Sequence, residues 1–191
     1  MPILIAPVVA AGTLAQERQP EIAVDDELRL RPWQASDAPT VLRAFADPDI
    51  QFWHFGRYET EPEARAWIAE CARHWHAEVC ASWAVTRLAD DEVVGRVAIY
   101  TALVDGYGEA SYWVLPDARG HNIAARAAIA ATRWAHDLGL HRVELQHSTA
   151  NPASARVARK AGFTFEGVRR GANLHADGWH DMQLYSHLEP D

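Results

Sequence analysis

Cysteine is scarce in this chain of 191 residues, which contains only Cys71 and Cys80. Both fall in or beside one predicted helical stretch, so they form neither a disulfide framework nor the spacing of a metal site. A chain without structural disulfides is typical of a reducing compartment, and we therefore expect a cytoplasmic protein.

Long apolar runs are also missing, which argues against a membrane-spanning segment. Residues 1–12 are apolar, with Ile3, Leu4 and Ile5 among them, but no positive charge precedes them and Pro2 and Pro7 interrupt them, unlike a signal peptide. We predict that residues 1–27 form an N-terminal extension, either an arm packed on the protein or a contact between subunits. A single domain at residues 28–188 would follow.

The chain has no excess of positive charge: its formal net charge is −8. This argues against nucleic acid as a partner and suits amine-bearing partners, although an acidic surface also serves solubility alone. There are ten histidines, yet none has Cys or paired carboxylates at ligand spacing, so we expect no metal. The chain also lacks a phosphate-binding loop with a Walker lysine and a G-x-G-x-x-G fingerprint, which disfavours a nucleotide binder.

Hydrophobic periodicity and turn residues predict a mixed α/β domain. Three central strands joined by short turns form an antiparallel meander, and a strand, helix and strand then form a unit that requires one parallel pair. The predicted strands are Leu28 to Trp33, Ser82 to Arg87, Val93 to Leu103, Glu109 to Leu115, Arg142 to Gln146, a short one at Phe163 to Phe165, and Trp179 to Leu188. The predicted helices end before Pro48, start near Pro62, run from Asn122 to Leu138, and start at Asn151.

The segment from Tyr112 to Ala124 is the most informative, because an apolar strand runs into a short Arg-Gly turn that opens a long helix. The first backbone N–H groups of a helix have no partner within it, and the helix dipole adds partial positive charge there. Such a junction predicts a site for a phosphate or pyrophosphate.

With this order of elements, the turn Arg119-Gly120-His121-Asn122-Ile123-Ala124 resembles that of the GNAT superfamily of acetyl-CoA-dependent N-acetyltransferases. The resemblance covers roughly Leu28 to Leu188. Three further motifs are similar to the RimJ/RimL branch, which acetylates protein N-terminal amines and other small amines: Tyr112-Trp113, Asn151-x-x-Ser154, and Ala161-Gly162-Phe163 followed by Glu166-Gly167.

The resemblance implies a central, twisted, mostly antiparallel sheet of about seven strands with one parallel pair, flanked by about four helices. It also implies acetyl-CoA as cosubstrate, an amine acceptor on a protein N-terminus or a small molecule, and a possible homodimer. Neither a metal nor a membrane is implied.

The same resemblance assigns coenzyme-binding residues to the turn and the strand before it. The turn would bind the pyrophosphate through backbone N–H groups, and the backbone before the turn would pair with the pantetheine arm. The residues implied are Trp113, Val114, Leu115, Arg119, Gly120, His121, Asn122, Ile123, Ala124, Asn151, Ser154 and Arg159. One departs from the family pattern: Asn122 stands where Gly is usual, and its side chain would crowd the pyrophosphate.

For the chemistry, the implied reaction is direct attack of a neutral amine on the thioester. Glu109 matches a glutamate common in the branch and is our first choice of base, against an exposed strand-edge carboxylate. Many family members have a tyrosine acid seven residues after the Asn, where this chain has Ala158. Ser154 is then the leading acid or hydrogen-bond donor, against a helix-start serine without a catalytic role, and Tyr112 is second.

Other residues have two open interpretations. Arg156, Arg159 and Lys160 on one helix would flank the adenosine 3′-phosphate or form a solvated basic face, and the same applies to Arg126 and Arg133 on the helix before it. Trp53, His54 and Phe55 fall in a predicted loop that borders the acceptor site in the family, where they would shape an aromatic pocket.

The alternative to an enzyme is a CoA-binding sensor or structural subunit without turnover. Asn122 and Ala158 are the residues that motivate it.

Overall fold

The computed structural model describes residues 5–189. It contains one sheet of eight strands in the order β1-β2-β3-β4-β5-β6-β8-β7, with five α-helices around it. The strands are β1 (Ile22–Ala23), β2 (Leu28–Pro32), β3 (Cys80–Arg87), β4 (Val93–Ala102), β5 (Tyr107–Val114), β6 (Arg142–Ser148), β7 (Thr164–His175) and β8 (Gly178–Leu188). The helices are α1 (Ala38–Phe45), α2 (Pro48–His54), α3 (Glu61–His76), α4 (Ile123–Asp137) and α5 (Pro152–Lys160).

The predicted architecture is confirmed, with one strand and one helix more than expected. β1 is a two-residue edge strand, too short to show alternation in the sequence. The second addition is α2, where the prediction of a loop around Trp53 and His54 is wrong. Pro48 does not simply end the preceding helix: it occupies the first turn of α2, and the Asp47 carboxylate caps that helix by accepting from the Ile50 N–H at 3.0 Å.

The predicted parallel pair is β5 with β6, and every other neighbouring pair of the sheet is antiparallel. Helices α1, α2 and α3 pack together, and α3 covers β3 on one face of the sheet, while α4 covers β4 and β5 and α5 packs on β6. Because directly paired residues of antiparallel strands share a face, Glu109 lies on the same side as Tyr100 and Cys80. The side chain of Tyr112, an odd number of residues further along, points to the opposite face.

The N-terminal arm packs on the body of the protein over its described part. Backbone N–H groups of Val8 and Val9 donate to the carbonyls of Val104 and Leu103, both at 3.1 Å. The Glu78 carboxylate accepts from the Gly12, Leu14 and Ala15 N–H groups. Ile3 and Leu4, part of the same predicted apolar arm, lie outside the described residues.

No helix within residues 5–189 is long and apolar enough to cross a membrane.

Candidate active site

A cleft of about 710 Å³ opens at the centre of the sheet. It exists because β5 and β6 pair only through Tyr107, Gly108 and Glu109, the last opposite Glu144. Beyond these residues β5 stays with β4 up to Val114, and β6 stays with β8 up to Ser148. Within the described residues the two parallel strands therefore diverge, and the edge of β5 that faces β6 has no strand partner.

The turn after β5 forms the outer end of the cleft. Gly120 has φ +90°, a left-handed conformation that disfavours other residues, and a Cβ added there would meet no atom within 4 Å. Asn122 also has left-handed angles, φ 57° and ψ 17°, and α4 begins at the next residue, Ile123. The open space at Gly120 and the free N–H groups of the first turn of α4 suit a pyrophosphate.

Arg119 is turned toward the N-terminus of α2. Its guanidinium lies 2.7 Å from an Asp47 carboxylate oxygen and 3.3 Å from Asp49, and its Nε donates to the Val114 carbonyl at 3.3 Å. Its charge is thus partly compensated within the protein. The sequence gives no signal for these contacts, because Asp47 and Asp49 are far away along the chain.

The side chain of Asn122 is directed to α5, where its Oδ1 accepts from Lys160 Nζ. The hydrogen bond joins the N-cap residue of α4 to the last turn of α5. It gives the Asn122 amide a partner inside the protein. Asn122 also lines the cleft, so the crowding of a pyrophosphate by its side chain stays a prediction.

The remaining residues expected at the coenzyme fall into two groups. Trp113, Val114, Ile123, Ala124, Asn151 and Ser154 line the cleft. Leu115 is fully buried in the core, His121 is exposed with its Nδ1 near the Arg119 carbonyl, and Arg159 is exposed on α5; none of these three lines the cleft. Asn151 Oδ1 accepts from the Ser154 N–H at 3.0 Å and so caps α5.

The basic residues also separate. Arg156 and Lys160 line the cleft. Arg126 instead forms ion pairs with Asp25 at 2.6 Å and Glu27 at 2.8 Å, which compensate its charge. Of the two helices considered for a 3′-phosphate, α5 is the one whose cations reach the cleft.

Glu109 lies at the closed end of the cleft, where β5 and β6 meet. Burial raises the pKa of its carboxyl above the ordinary value, and the neighbouring charge of Glu144 raises it further. Glu144 itself is held by Arg142 Nε at 2.8 Å and by the Tyr107 hydroxyl at 3.1 Å. A carboxylate with a raised pKa in a cleft is suited to accept a proton.

On the opposite face of β5, the Tyr112 hydroxyl lies 2.9 Å from Ser154 Oγ. Both residues line the cleft. Burial raises the pKa of Tyr112 to about 12, so the phenol is protonated at neutral pH and can donate. Ser154 and Tyr112, which the sequence offers as two separate candidates for the acid, therefore form one hydrogen-bonded pair.

Helix α2 forms the side of the cleft on the face of Glu109. Trp53, His54 and Phe55 line it, as the acceptor-pocket hypothesis requires, although they belong to a helix and its C-terminal cap. Burial lowers the pKa of His54 to about 4, and the nearby charge of Arg96 acts in the same direction. His54 is therefore neutral at pH 7.

Four polar residues in or beside the cleft have no role assigned from the sequence: His147, Ser148, His175 and His180. The first three line the cleft, and His180 contacts Ser148. They come from β6 and from the two sides of the β7–β8 hairpin, which only the strand register brings together. The clustering of histidines in the sequence was a signal, but it did not indicate which of them meet.

Within residues 5–189 no group of three or more His, Cys, Asp or Glu residues is arranged to hold a metal ion.

Comparison with known proteins agrees with this geometry. A family model described as an acetyltransferase (GNAT) domain matches residues 27–164. The probable N-acetyltransferase YjcK of Bacillus subtilis is 28% identical over 171 residues, which cover 85% of this chain and 94% of YjcK.

Two solved structures share the fold. One is the Salmonella typhimurium acetyltransferase that modifies the N-terminal serine of ribosomal protein L7/L12, with a TM-score of 0.79 and 20% identity over 90% of this chain and 100% of that one. The other is RimL, the L7/L12 alpha-N-protein acetyltransferase, in complex with coenzyme A, with a TM-score of 0.79 and 19% identity over 88% and 98% of the two chains. The neighbours thus include the RimL branch to which the sequence motifs are similar.

Proposed function

Since this chain belongs to the GNAT acetyltransferase family and is an N-acetyltransferase, we propose that it transfers the acetyl group of acetyl-CoA to a primary amine by direct attack in a ternary complex. The acceptor is a protein N-terminal amine or a small-molecule amine. The single observation that carries the proposal is the divergence of β5 and β6, which opens one cleft between the Tyr112–Ser154 pair and Glu109.

The residues of the cleft fit the coenzyme. The unpaired edge of β5 offers backbone groups to the pantetheine amides, and Gly120 with the start of α4 offers N–H groups to the pyrophosphate. Lys160 and Arg156 are placed to meet a further phosphate. Acetyl-CoA supplies the acetyl group as an activated thioester.

The acceptor enters on the side of α2. RimL, whose structures share this fold, acts on the N-terminus of L7/L12, which supports an α-amine as acceptor. Trp53 and Phe55 give that side apolar surface, and neutral His54 adds no positive charge beside a substrate ammonium.

Glu109 is the proposed base. The need for a base depends on the amine, because an α-amine with a pKa near 8 is about 10% neutral at pH 7, whereas a lysine amine is only about 0.04% neutral. Since Glu109 lies at the closed end of the cleft, it receives the proton through water. A weak base suffices for an α-amine.

The Tyr112–Ser154 pair is the proposed acid. In this proposal the Tyr112 hydroxyl is the donor of the 2.9 Å hydrogen bond to Ser154 Oγ, so that the Ser154 hydrogen is directed to the leaving sulfur. The chain has Ala158 at the position where the family resemblance implies a tyrosine acid, and we propose Tyr112, hydrogen-bonded to Ser154, in its stead.

Thermal unfolding with and without ligand tests the binding part. Acetyl-CoA at about 100 times its dissociation constant should stabilise the fold by about 2.7 kcal/mol, which raises the melting temperature by about 5 to 10 °C. A shift with ATP and none with acetyl-CoA would overturn the proposal. Thiol release with a panel of peptides, amino acids, polyamines and aminoglycosides then tests transfer.

A further inference from the structure

We propose that Ser148, His180 and Asp177 form a proton outlet for the acceptor amine, leading from the cleft to solvent. The proposal rests on the proposed acetyl transfer, because an acceptor that binds as an ammonium must lose a proton before it attacks. It adds three residues to those assigned above.

The three side chains form a continuous hydrogen-bonded chain. Ser148 Oγ lies 2.6 Å from His180 Nδ1, and His180 Nε2 lies 2.8 Å from Asp177 Oδ1. Ser148 pairs with Met182 in the sheet, so His180, two residues before Met182, projects from the same face. Asp177 lies in the turn that joins β7 to β8.

The donors and acceptors are consistent with transfer toward solvent. Ser148 Oγ accepts from the Ala150 N–H at 3.0 Å, so its own hydrogen is free to be donated to His180 Nδ1. The imidazole then carries its proton on Nε2 and donates to Asp177. In this arrangement Ser148 lies next to the cleft, His180 passes the proton on, and the Asp177 carboxylate accepts it.

Solvent exposure increases from Ser148 through His180 to Asp177. Ser148 is 1% exposed, the His180 side chain 12% and the Asp177 side chain 59%. Ser148 lines the cleft, whereas Asp177 is in contact with water. The path therefore joins a buried reaction site to bulk solvent through a single buried ring.

The position along the sheet also suits the chemistry. Ser148 is four residues beyond Glu144, and hence about 13 Å further along β6 than the level of Glu109. Ser148 therefore lies toward the open part of the cleft, beyond the closed end that holds Glu109.

The surroundings hold the His180 ring in place. His175 stacks on it with ring centroids 4.2 Å apart, and Phe52 and Trp53 of α2 are at 6.2 and 6.3 Å. Burial lowers the pKa of His175, and the coulombic interaction with His180 lowers it further, so His175 is neutral at pH 7.

No other charged side chain takes part in these contacts within residues 5–189. Neither ring nitrogen of His175 has a hydrogen-bond partner in the described part of the chain. The Phe52 backbone partly offsets the lowering of the His175 pKa. The Asp181 carboxylate is directed away, to the Gly171 N–H at 2.7 Å. Asp177 is therefore the carboxylate that faces His180.

The proposed step is balanced. Ser148 Oγ takes a proton from the bound ammonium while its own hydrogen moves to His180 Nδ1, and the Nε2 proton leaves through Asp177 to water. The neutral amine then attacks the acetyl carbon, the C–N bond forms and the C–S bond breaks. The second nitrogen proton, which is lost as the C–N bond forms, passes through water to Glu109, and the Tyr112–Ser154 pair protonates the leaving thiolate. The overall reaction therefore releases one proton to solvent.

The test compares His180→Ala with wild type on a peptide α-amine at pH 7 and pH 9. Without the outlet only the neutral amine reacts, so kcat/KM should fall about tenfold at pH 7 and approach the wild-type value at pH 9. Imidazole added at pH 7 should restore the kcat/KM of His180→Ala. It should not restore that of His180→Gln, because the glutamine side chain fills the space left by the ring. His74→Ala, which removes a histidine paired with Glu70 at 2.8 Å on the outer face of α3, is the matched control and should leave the rate unchanged.

Equal rates for His180→Ala and wild type at pH 7 would overturn the outlet, and so would a loss of the same size at both pH values. The ¹⁵N shifts of the His180 ring in the wild-type protein provide a test without turnover. Protonation on Nε2 supports the outlet, whereas protonation on Nδ1 contradicts it, since Ser148 could then not donate. Absence of thiol release by wild type with every amine would contradict the proposed function, and the ring shifts would still decide whether this hydrogen-bonded chain exists.

Discussion

The Tyr112 hydroxyl and Ser154 Oγ lie 2.9 Å apart, one on β5 and the other on the first turn of α5. The pair joins two elements that the turn, helix α4 and strand β6 separate in sequence. It supplies a protonated donor at the level where the leaving sulfur is expected.

We expect Ser154→Ala to lower kcat about 100-fold, because the thiolate would leave without a proton donor. Tyr112→Phe should cost less on its own and almost nothing further in the Ser154→Ala background, since the two hydroxyls act as a unit. Steady-state thiol release measures this double-mutant cycle. Tyr185→Phe is the control, because this buried tyrosine donates to Gln183 on the same strand, away from the cleft. If the losses in kcat of the two single variants add up in the double variant, Tyr112 and Ser154 do not act as a unit.

The pH dependence of kcat/KM tests Glu109. Its activity as a base should be lost as the pH falls through its raised pKa, and Glu109→Gln should remove most turnover while acetyl-CoA binding stays nearly unchanged. Glu144→Gln should move the acidic limb to lower pH, because one of the charges that raises the Glu109 pKa is gone. Glu61→Gln, on the exposed start of α3, should leave the profile as it is. An unchanged rate in Glu109→Gln would exclude this carboxylate from the mechanism.

The turn after β5 can be tested by two small substitutions. Gly120→Ala places a Cβ at φ +90° and should destabilise the turn by about 1–2 kcal/mol, with weaker acetyl-CoA binding, through backbone strain alone. Asn122→Gly keeps the left-handed conformation and removes a side chain directed at Lys160, so the dissociation constant should change less than about threefold. Titration calorimetry measures both. Binding more than tenfold tighter in Asn122→Gly would show that Asn122 does crowd the coenzyme.

Acid should destabilise the fold through His54. The unfolded chain takes up a proton on this ring below pH 6.5, whereas the folded protein resists it down to about pH 4. Stability is therefore lost as the pH falls through this window, with a contribution of about 2 kcal/mol at pH 5 relative to pH 7. Urea unfolding at the two pH values should show a smaller difference in His54→Asn. The same pH dependence in both proteins would show that His54 is not the source.

The strand, turn and helix of the proposed coenzyme site could be predicted from the sequence because their signals are local. Alternation marks β5, Gly120 marks the turn, and apolar spacing marks α4. Helix α2 is not apparent from the sequence because Pro48 suits both the end of one helix and the first turn of the next, and because α2 is only seven residues long.

The other contacts depend on residues far apart in sequence. The Arg119–Asp47 pair, the His180–Ser148 contact and the closed end of the cleft at Glu109 each follow from strand register and helix placement. No pattern in a single sequence specifies them, because the same residues would be compatible with surface positions.

Acetyl-CoA thiol release in the presence of a panel of amines distinguishes an N-acetyltransferase from a CoA-binding protein without turnover. Wild type should release thiol only when an acceptor amine is present, and Glu109→Gln should bind acetyl-CoA with near wild-type affinity but release little thiol. Tight acetyl-CoA binding without amine-dependent thiol release from wild type, across peptides and small amines alike, would contradict the proposed acetyl transfer.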